Sequence, residues 1–68
     1  MERYRGKAFP GSGYKSFRTL FEACEATCRS ESPCVAYTFL KNQGTCHLFG
    51  VTGEYFTNSL ADSGGKRQ

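Results

Sequence analysis

The sequence predicts a small α+β domain stapled by disulfides. Three observations predict it: the chain has only 68 residues, it carries four cysteines, and one segment of helical period lies among segments of strand character. A domain this short buries only roughly 60% of the surface its unfolded chain exposes. Its core supplies about 3–5 kcal/mol, so a staple is needed. An even cysteine count is what a disulfide framework requires.

The elements follow in order. "RYRGKAF" (3–9) alternates loosely and predicts a short strand, and "PGSG" (10–13) is a turn cluster. "YKSFR" (14–18) is a second strand candidate. The period then changes. Positions 20, 21, 24, 27 and 28 are apolar or small, the stripe of an amphipathic helix. Thr19 and Glu22 have the spacing of a capping box. Glu25 and Arg29 stand four apart in the favourable order. The helix must end before Pro33, because the residue preceding proline is pushed out of the helical region. "CVAYTFL" (34–40) is rich in strand formers, with Val35, Tyr37 and Phe39 on one face. These three, or the opposite set, are expected to floor the helix. "KNQG" (41–44) predicts a hairpin turn and "TCHLF" (45–49) the return strand. "GVTG" (50–53) turns again, and "EYFTN" (54–58) is the last major strand. The polar end "ADSGGKRQ" reads from composition as a frayed terminus or linker.

Cys24 and Cys28 are four apart on the predicted helix and share a face. Helical geometry does not bring their Cβ atoms to bonding distance, so each looks outward for a partner. Cys34 opens one strand of the hairpin and Cys46 lies in the other. Two cross-links would pin the helix to the sheet. Zinc is the competing reading, with the cysteines and His47 as ligands. Structural zinc sites use two close cysteine pairs on tight turns, whereas this chain has one C-x3-C inside a helix and no second close pair. A redox role needs C-x-x-C beside a βαβ pattern, and neither is present. His47 alternates with Cys46 and Leu48 and is expected to face solvent.

Together these segments resemble the PAN/apple domain family, closest to its short four-cysteine members, as in the N-terminal domain of hepatocyte growth factor and bacterial and protist repeats. "FPGSGYKSF" (9–17) is similar to the family's first strand motif. "EACEATC" (22–28) resembles its helix with cysteines four apart. "CVAYTF" (34–39) is similar to its cysteine followed by aromatics three and five residues on. "GTCHLF" (44–49) resembles its C-x-L strand, and "SGGK" (63–66) its closing segment. The resemblance implies a curved antiparallel sheet wrapped around one helix. It implies the pairs Cys24–Cys46 and Cys28–Cys34, and it favours a strand over a tail for residues 59–68. The third disulfide of larger members, which joins the termini, is missing, so that end is expected to be looser. Residues 1–68 then form one domain, with a core over about 4–58, cut from a larger protein.

The resemblance also implies a non-catalytic recognition module that binds proteins or carbohydrates. No nucleophile–base pair stands out beside the single histidine. "GSGYKS" (11–16) lacks the spacing of a phosphate-binding loop. The net charge of +3 is scattered and makes no nucleic-acid patch. No stretch approaches the roughly 18 apolar residues of a membrane span. "MERYRGKAFP" lacks the apolar region of a signal peptide, so an extracellular location would require a longer precursor. An oxidising compartment, at the cell surface, outside the cell or in a periplasm, is expected, with no metal or cofactor and a monomeric isolated domain. The candidate partners are a protein or a glycan, and a structural spacer is the alternative. For an acidic ligand the candidate contacts are Lys15 and Arg18 on the second strand, Arg29 at the helix end, Lys41 at the hairpin and His47 on the adjoining strand.

Overall fold

The computed structural model describes residues 2–11, 13–51 and 55–66. It contains strands β1 (Glu2–Ala8) and β2 (Lys15–Arg18), helix α1 (Phe21–Ser30), and strands β3 (Ala36–Leu40), β4 (Thr45–Phe49) and β5 (Phe56–Gly65). The five strands form one antiparallel sheet in the order β1-β5-β3-β4-β2. Ser12, Thr52, Gly53 and Glu54 of the expected turns and last strand lie outside the described residues, as do Met1, Arg67 and Gln68.

The sheet has two unlike faces. Residues paired across antiparallel strands share a face, and the face alternates along each strand. Phe17, Cys46, Phe39 and Asp62 stand in one row, and Leu48, Tyr37 and Gly64 in another. Both rows lie under α1, where Cys24, Cys28, Tyr37, Phe39, Cys46 and Leu48 form the main core. Of the expected floor residues, Tyr37 and Phe39 supply the packing, with the Phe21 ring edge-on to both. Val35 precedes β3 and is half-buried. The opposite face carries a smaller cluster of Phe9, Ala36 and Phe49, flanked by Tyr4.

Cys24 is bonded to Cys46, with Cα atoms 5.5 Å apart, and Cys28 to Cys34, at 5.1 Å. The first bond fastens mid-helix to β4 and the second closes the helix end onto the approach to β3. With the sulfurs joined pairwise, the zinc alternative has no cysteine ligands left.

The structure corrects the helix start. Leu20, not Thr19, is the N-cap residue, and no side chain caps the helix. The Thr19 amide instead donates to the Gly44 carbonyl at 2.9 Å, which holds Thr19 in the chain approaching the helix. The inward stripe also differs. Leu20 is 77% exposed, whereas Glu25 is only 6% exposed and points inward beside Cys24 and Cys28.

The end of the chain differs most from its composition. β5 runs to Gly65 and lies between β1 and β3, with Ala61, Ser63, Gly64 and Gly65 buried. The core therefore extends past residue 58, and the frayed-terminus reading fails. The strand is made of small residues because its neighbour is large. A Cβ on Gly64 would stand 2.5 Å from the Tyr37 ring. Gly13 answers a comparable constraint at β2. Its φ of 73° is one that side chains rarely adopt, and a Cβ there would run into the Leu48 carbonyl.

Candidate functional site

A cleft of about 410 Å³ opens beside the first turn of α1. One wall is β1, which contributes Arg3, Arg5 and Gly6. The helix contributes Phe21 and Glu22, and the far side is closed by Lys41 of the β3–β4 turn and Asp62 of β5. Local folding explains why these residues meet. Arg3 and Arg5 alternate with Tyr4 and so share the helix side of β1. Between Arg5 and Lys7 the β1–β5 register shifts, from Arg5↔Asp62 to Lys7↔Thr57. At that break the Gly6 amide donates to Asp62 Oδ1 at 3.1 Å, which fixes the Asp62 carboxylate at the cleft edge.

The wall is anchored by a charge network gathered on the buried Glu25 carboxylate. Arg3 Nε and Nη2 each donate to Glu25, to Oε2 and Oε1 respectively, both at 2.9 Å. The Tyr37 hydroxyl donates to Oε2 at 2.8 Å, and Arg29 Nη2 reaches Oε1 at 3.3 Å. Hydrogen bonds from Arg3, then from Tyr37, outweigh the cost of burial and hold the Glu25 carboxyl down at about 2. Burial, reinforced by the same carboxylate, pushes the Tyr37 hydroxyl well above its ordinary value. The Arg3 guanidinium also covers the Phe21 ring, 5.5 Å from its centroid. All three groups are committed to the scaffold.

The two other ionic groups at the far side are loosely joined, with Lys41 Nζ 3.6 Å from Asp62 Oδ1. Arg5 and Glu22 are different. Both are exposed, and neither has a hydrogen-bond or ion-pair partner among the described residues. The cleft thus offers one uncommitted guanidinium and one uncommitted carboxylate.

The five residues expected from sequence to contact a ligand are not gathered into one patch. Lys15 Nζ bonds Glu31 Oε2 at 2.9 Å, near the C-terminal end of α1. Its hydrogen bond, followed by that of the Tyr14 hydroxyl, lowers the Glu31 carboxyl below its ordinary value. Arg29 lies in the last helical turn and reaches back to Glu25. Lys41 lies at the other end of the helix, in the cleft. A ten-residue helix separates these ends by about 15 Å. Arg18 is exposed at the end of β2, opposite Thr45. His47 lies on the face away from the helix, between Ser16 and Thr38, and is half-buried rather than fully open to solvent. Arg3, Arg5 and Glu22 were not among the expected contacts. The alternation of "RYR" was the available signal for the two arginines.

The face away from the helix carries a second exposed feature. Tyr55 stacks on Tyr4 with centroids 5.1 Å apart, and both rings meet Phe9 edge-on. Beneath them the Thr38 and Ser63 hydroxyls share a 2.9 Å hydrogen bond. Ser63 donates onward to the Lys7 carbonyl, and the Phe9 amide donates to Thr38. These bonds hold β1 across the sheet without a disulfide.

A family model described as the PAN domain matches residues 1–67. The chain belongs to the PAN domain family. No curated protein matches it. PAN domains are protein- and carbohydrate-binding modules, generally without catalytic activity. The α+β architecture with one helix, a five-stranded antiparallel sheet and two disulfides is consistent with that fold. The disulfides point to an oxidising compartment. Among the described residues, no helix is long and apolar enough to cross a membrane.

Proposed function

We propose that this PAN domain is a non-catalytic recognition module of a larger extracellular or cell-surface protein, and that it binds a protein or glycan ligand at the cleft beside the helix start. One observation carries the reading. In the cleft two exposed ionic groups without partners among the described residues, Arg5 and Glu22, line a concave surface, while nearby charges are tied to the scaffold. Ligand sites are concave and present a few convergent polar groups. Of the five contacts expected from sequence, Lys41 belongs to this site. Lys15 and Arg29 already hold carboxylates, which weakens the case for a sulfated glycan spread over the helix and β2.

The test pairs two screens of the 68-residue domain, one against a glycan array and one against a panel of recombinant ectodomains. A ligand bound by the wild type and lost from Arg5→Ala/Lys41→Ala supports recognition at the cleft. The absence of any ligand in both screens favours the alternative of a structural spacer. Retention on heparin separates the sulfated-glycan version. Elution at low salt, unchanged in Lys15→Ala/Arg18→Ala, removes it.

A further inference from the structure

We infer that the cleft recognises a dipolar pair: a carboxylate and an ammonium or guanidinium carried side by side on an exposed segment of a partner protein. The inference rests on the reading of the domain as a recognition module and names what its cleft selects. Arg5 and Glu22 carry the argument. They come from different elements, β1 and α1, and line the same cleft without forming an ion pair with each other. The Arg3–Glu25 fork joins the same two elements and so sets their spacing. Arg5 presents a planar donor fork suited to a carboxylate, and Glu22 presents an acceptor suited to an ammonium or guanidinium.

The remaining charges make the cleft selective. A ligand bearing only negative charge meets Glu22 and Asp62. A ligand bearing only positive charge meets Arg5 and Lys41. Each is opposed by part of the lining, whereas a ligand carrying both signs can place each charge beside its opposite. A protein source is favoured over a sugar by the one aromatic ring in the cleft. Phe21 is covered by the Arg3 guanidinium on one side and packs against Tyr37 and Phe39 on others. These contacts leave less of the ring for a sugar to lie on. The volume of about 410 Å³ falls within the range for small-ligand pockets and admits two side-chain ends.

The experiment is an amide chemical-shift titration of the 68-residue chain at low salt. The probes are capped Lys-Glu and Glu-Lys dipeptides, capped Lys-Lys and Glu-Glu, and free glycine. The dipolar dipeptides should shift the Arg5, Gly6, Phe21, Glu22 and Lys41 amides. The like-charged dipeptides should shift them far less. Arg5→Glu should weaken dipolar binding about tenfold or more, since attraction becomes repulsion. The swap Arg5→Glu/Glu22→Arg should recover most of that loss, which also shows that the scaffold tolerates the change. The inference is overturned if the cleft amides do not respond to either dipolar dipeptide, if Lys-Lys or Glu-Glu moves them equally, or if the swap recovers nothing. Free glycine binding as well as the dipeptides would overturn the protein source. A glycan or ectodomain that binds while the cleft amides stay still would leave the recognition reading standing and overturn this one.

Discussion

The two ends of the helix are built to opposite plans. At the C-terminal end Cys28 is bonded to Cys34, and Glu31 gathers its surroundings. Its carboxylate accepts from Tyr14 and Lys15, and its carbonyl accepts from Lys66 at 2.7 Å. Four parts of the chain converge there, and each of these polar groups has a partner. At the N-terminal end no side chain caps the helix, and Glu22 and Arg5 face a cleft without partners among the described residues. A domain of this size cannot leave both ends open, because it has too little core. Closing one end by covalent and ionic ties allows polar groups at the other to remain uncommitted. On the proposed reading, one end serves as scaffold and the other as the recognition surface.

The largest expected effect removes what both ends share. Replacing Cys24 and Cys46 together opens a loop of 22 residues, and the chain-entropy model puts the cost at about 3.4 kcal/mol. Chemical denaturation should show it directly. Replacing Cys28 and Cys34 opens a loop of 6 residues, at about 2.2 kcal/mol. If the second pair costs more than the first, the closed end carries strain or contacts that the entropy argument omits. In hydrogen exchange the second replacement should release amides around Ser30–Cys34 while those of Cys24–Ala26, the first with helical acceptors, stay protected. Equal loss at both ends would dissolve the distinction between them.

A comparable effect is expected in the sheet. Gly64→Ala places a methyl against the buried Tyr37 ring and should destabilise the domain by about 1–3 kcal/mol.

Acid tests the fork that anchors the cleft wall. Glu25 has its folded value depressed to about 2 from an ordinary 4.5, chiefly by the Arg3 hydrogen bonds. A depressed carboxyl stabilises the fold fully above its unfolded value and loses that contribution as pH falls from about 4.5 towards about 2. Glu25→Gln should therefore lower stability at neutral pH and flatten the stability profile across that window. An unchanged profile would show that the Arg3–Glu25 fork does not hold the cleft wall. The smallest effect is expected at the open end. Arg5→Glu and Glu22→Lys should each change stability by no more than about 0.5 kcal/mol, while both weaken ligand binding. A large loss of stability from either would show that these residues belong to the scaffold.

The sequence made some of this legible and concealed the rest for identifiable reasons. The helix was visible because Phe21, Cys24 and Cys28 repeat at its period and all three pack inward or against the core. The hairpin was visible because "KNQG" separates two strand-like runs. Glu25 was read as standing four residues before Arg29 in the favourable order, and that pair does form. Its deeper attachment to Arg3 spans 22 residues of sequence, and no local pattern reports a contact at that distance. β5 was obscured because a strand packed against Tyr37 must be small, and "ADSGG" has the composition of a tail. The cleft was hidden for the same reason as the network. It is made where β1 meets α1, β5 and the β3–β4 turn, and each contributes only one to three residues. The expected contacts Lys15, Arg18, Arg29, Lys41 and His47 were chosen by charge and element, and charge alone does not reveal which cations are already paired.

The strand order has a consequence for biogenesis. β5 occupies the place between β1 and β3, so the sheet neighbour of β1 is the last strand to be synthesised. During translation, α1, β2, β3 and β4 emerge as a contiguous block that already contains all four cysteines, and oxidation can proceed within it. β1, first to emerge, must wait for residues 56–65 before its backbone is paired. The charged residues along it, Arg3, Arg5 and Lys7, keep that waiting edge soluble. The wall of the cleft is therefore completed only once the last strand of the sheet is present, after the block that holds all four cysteines.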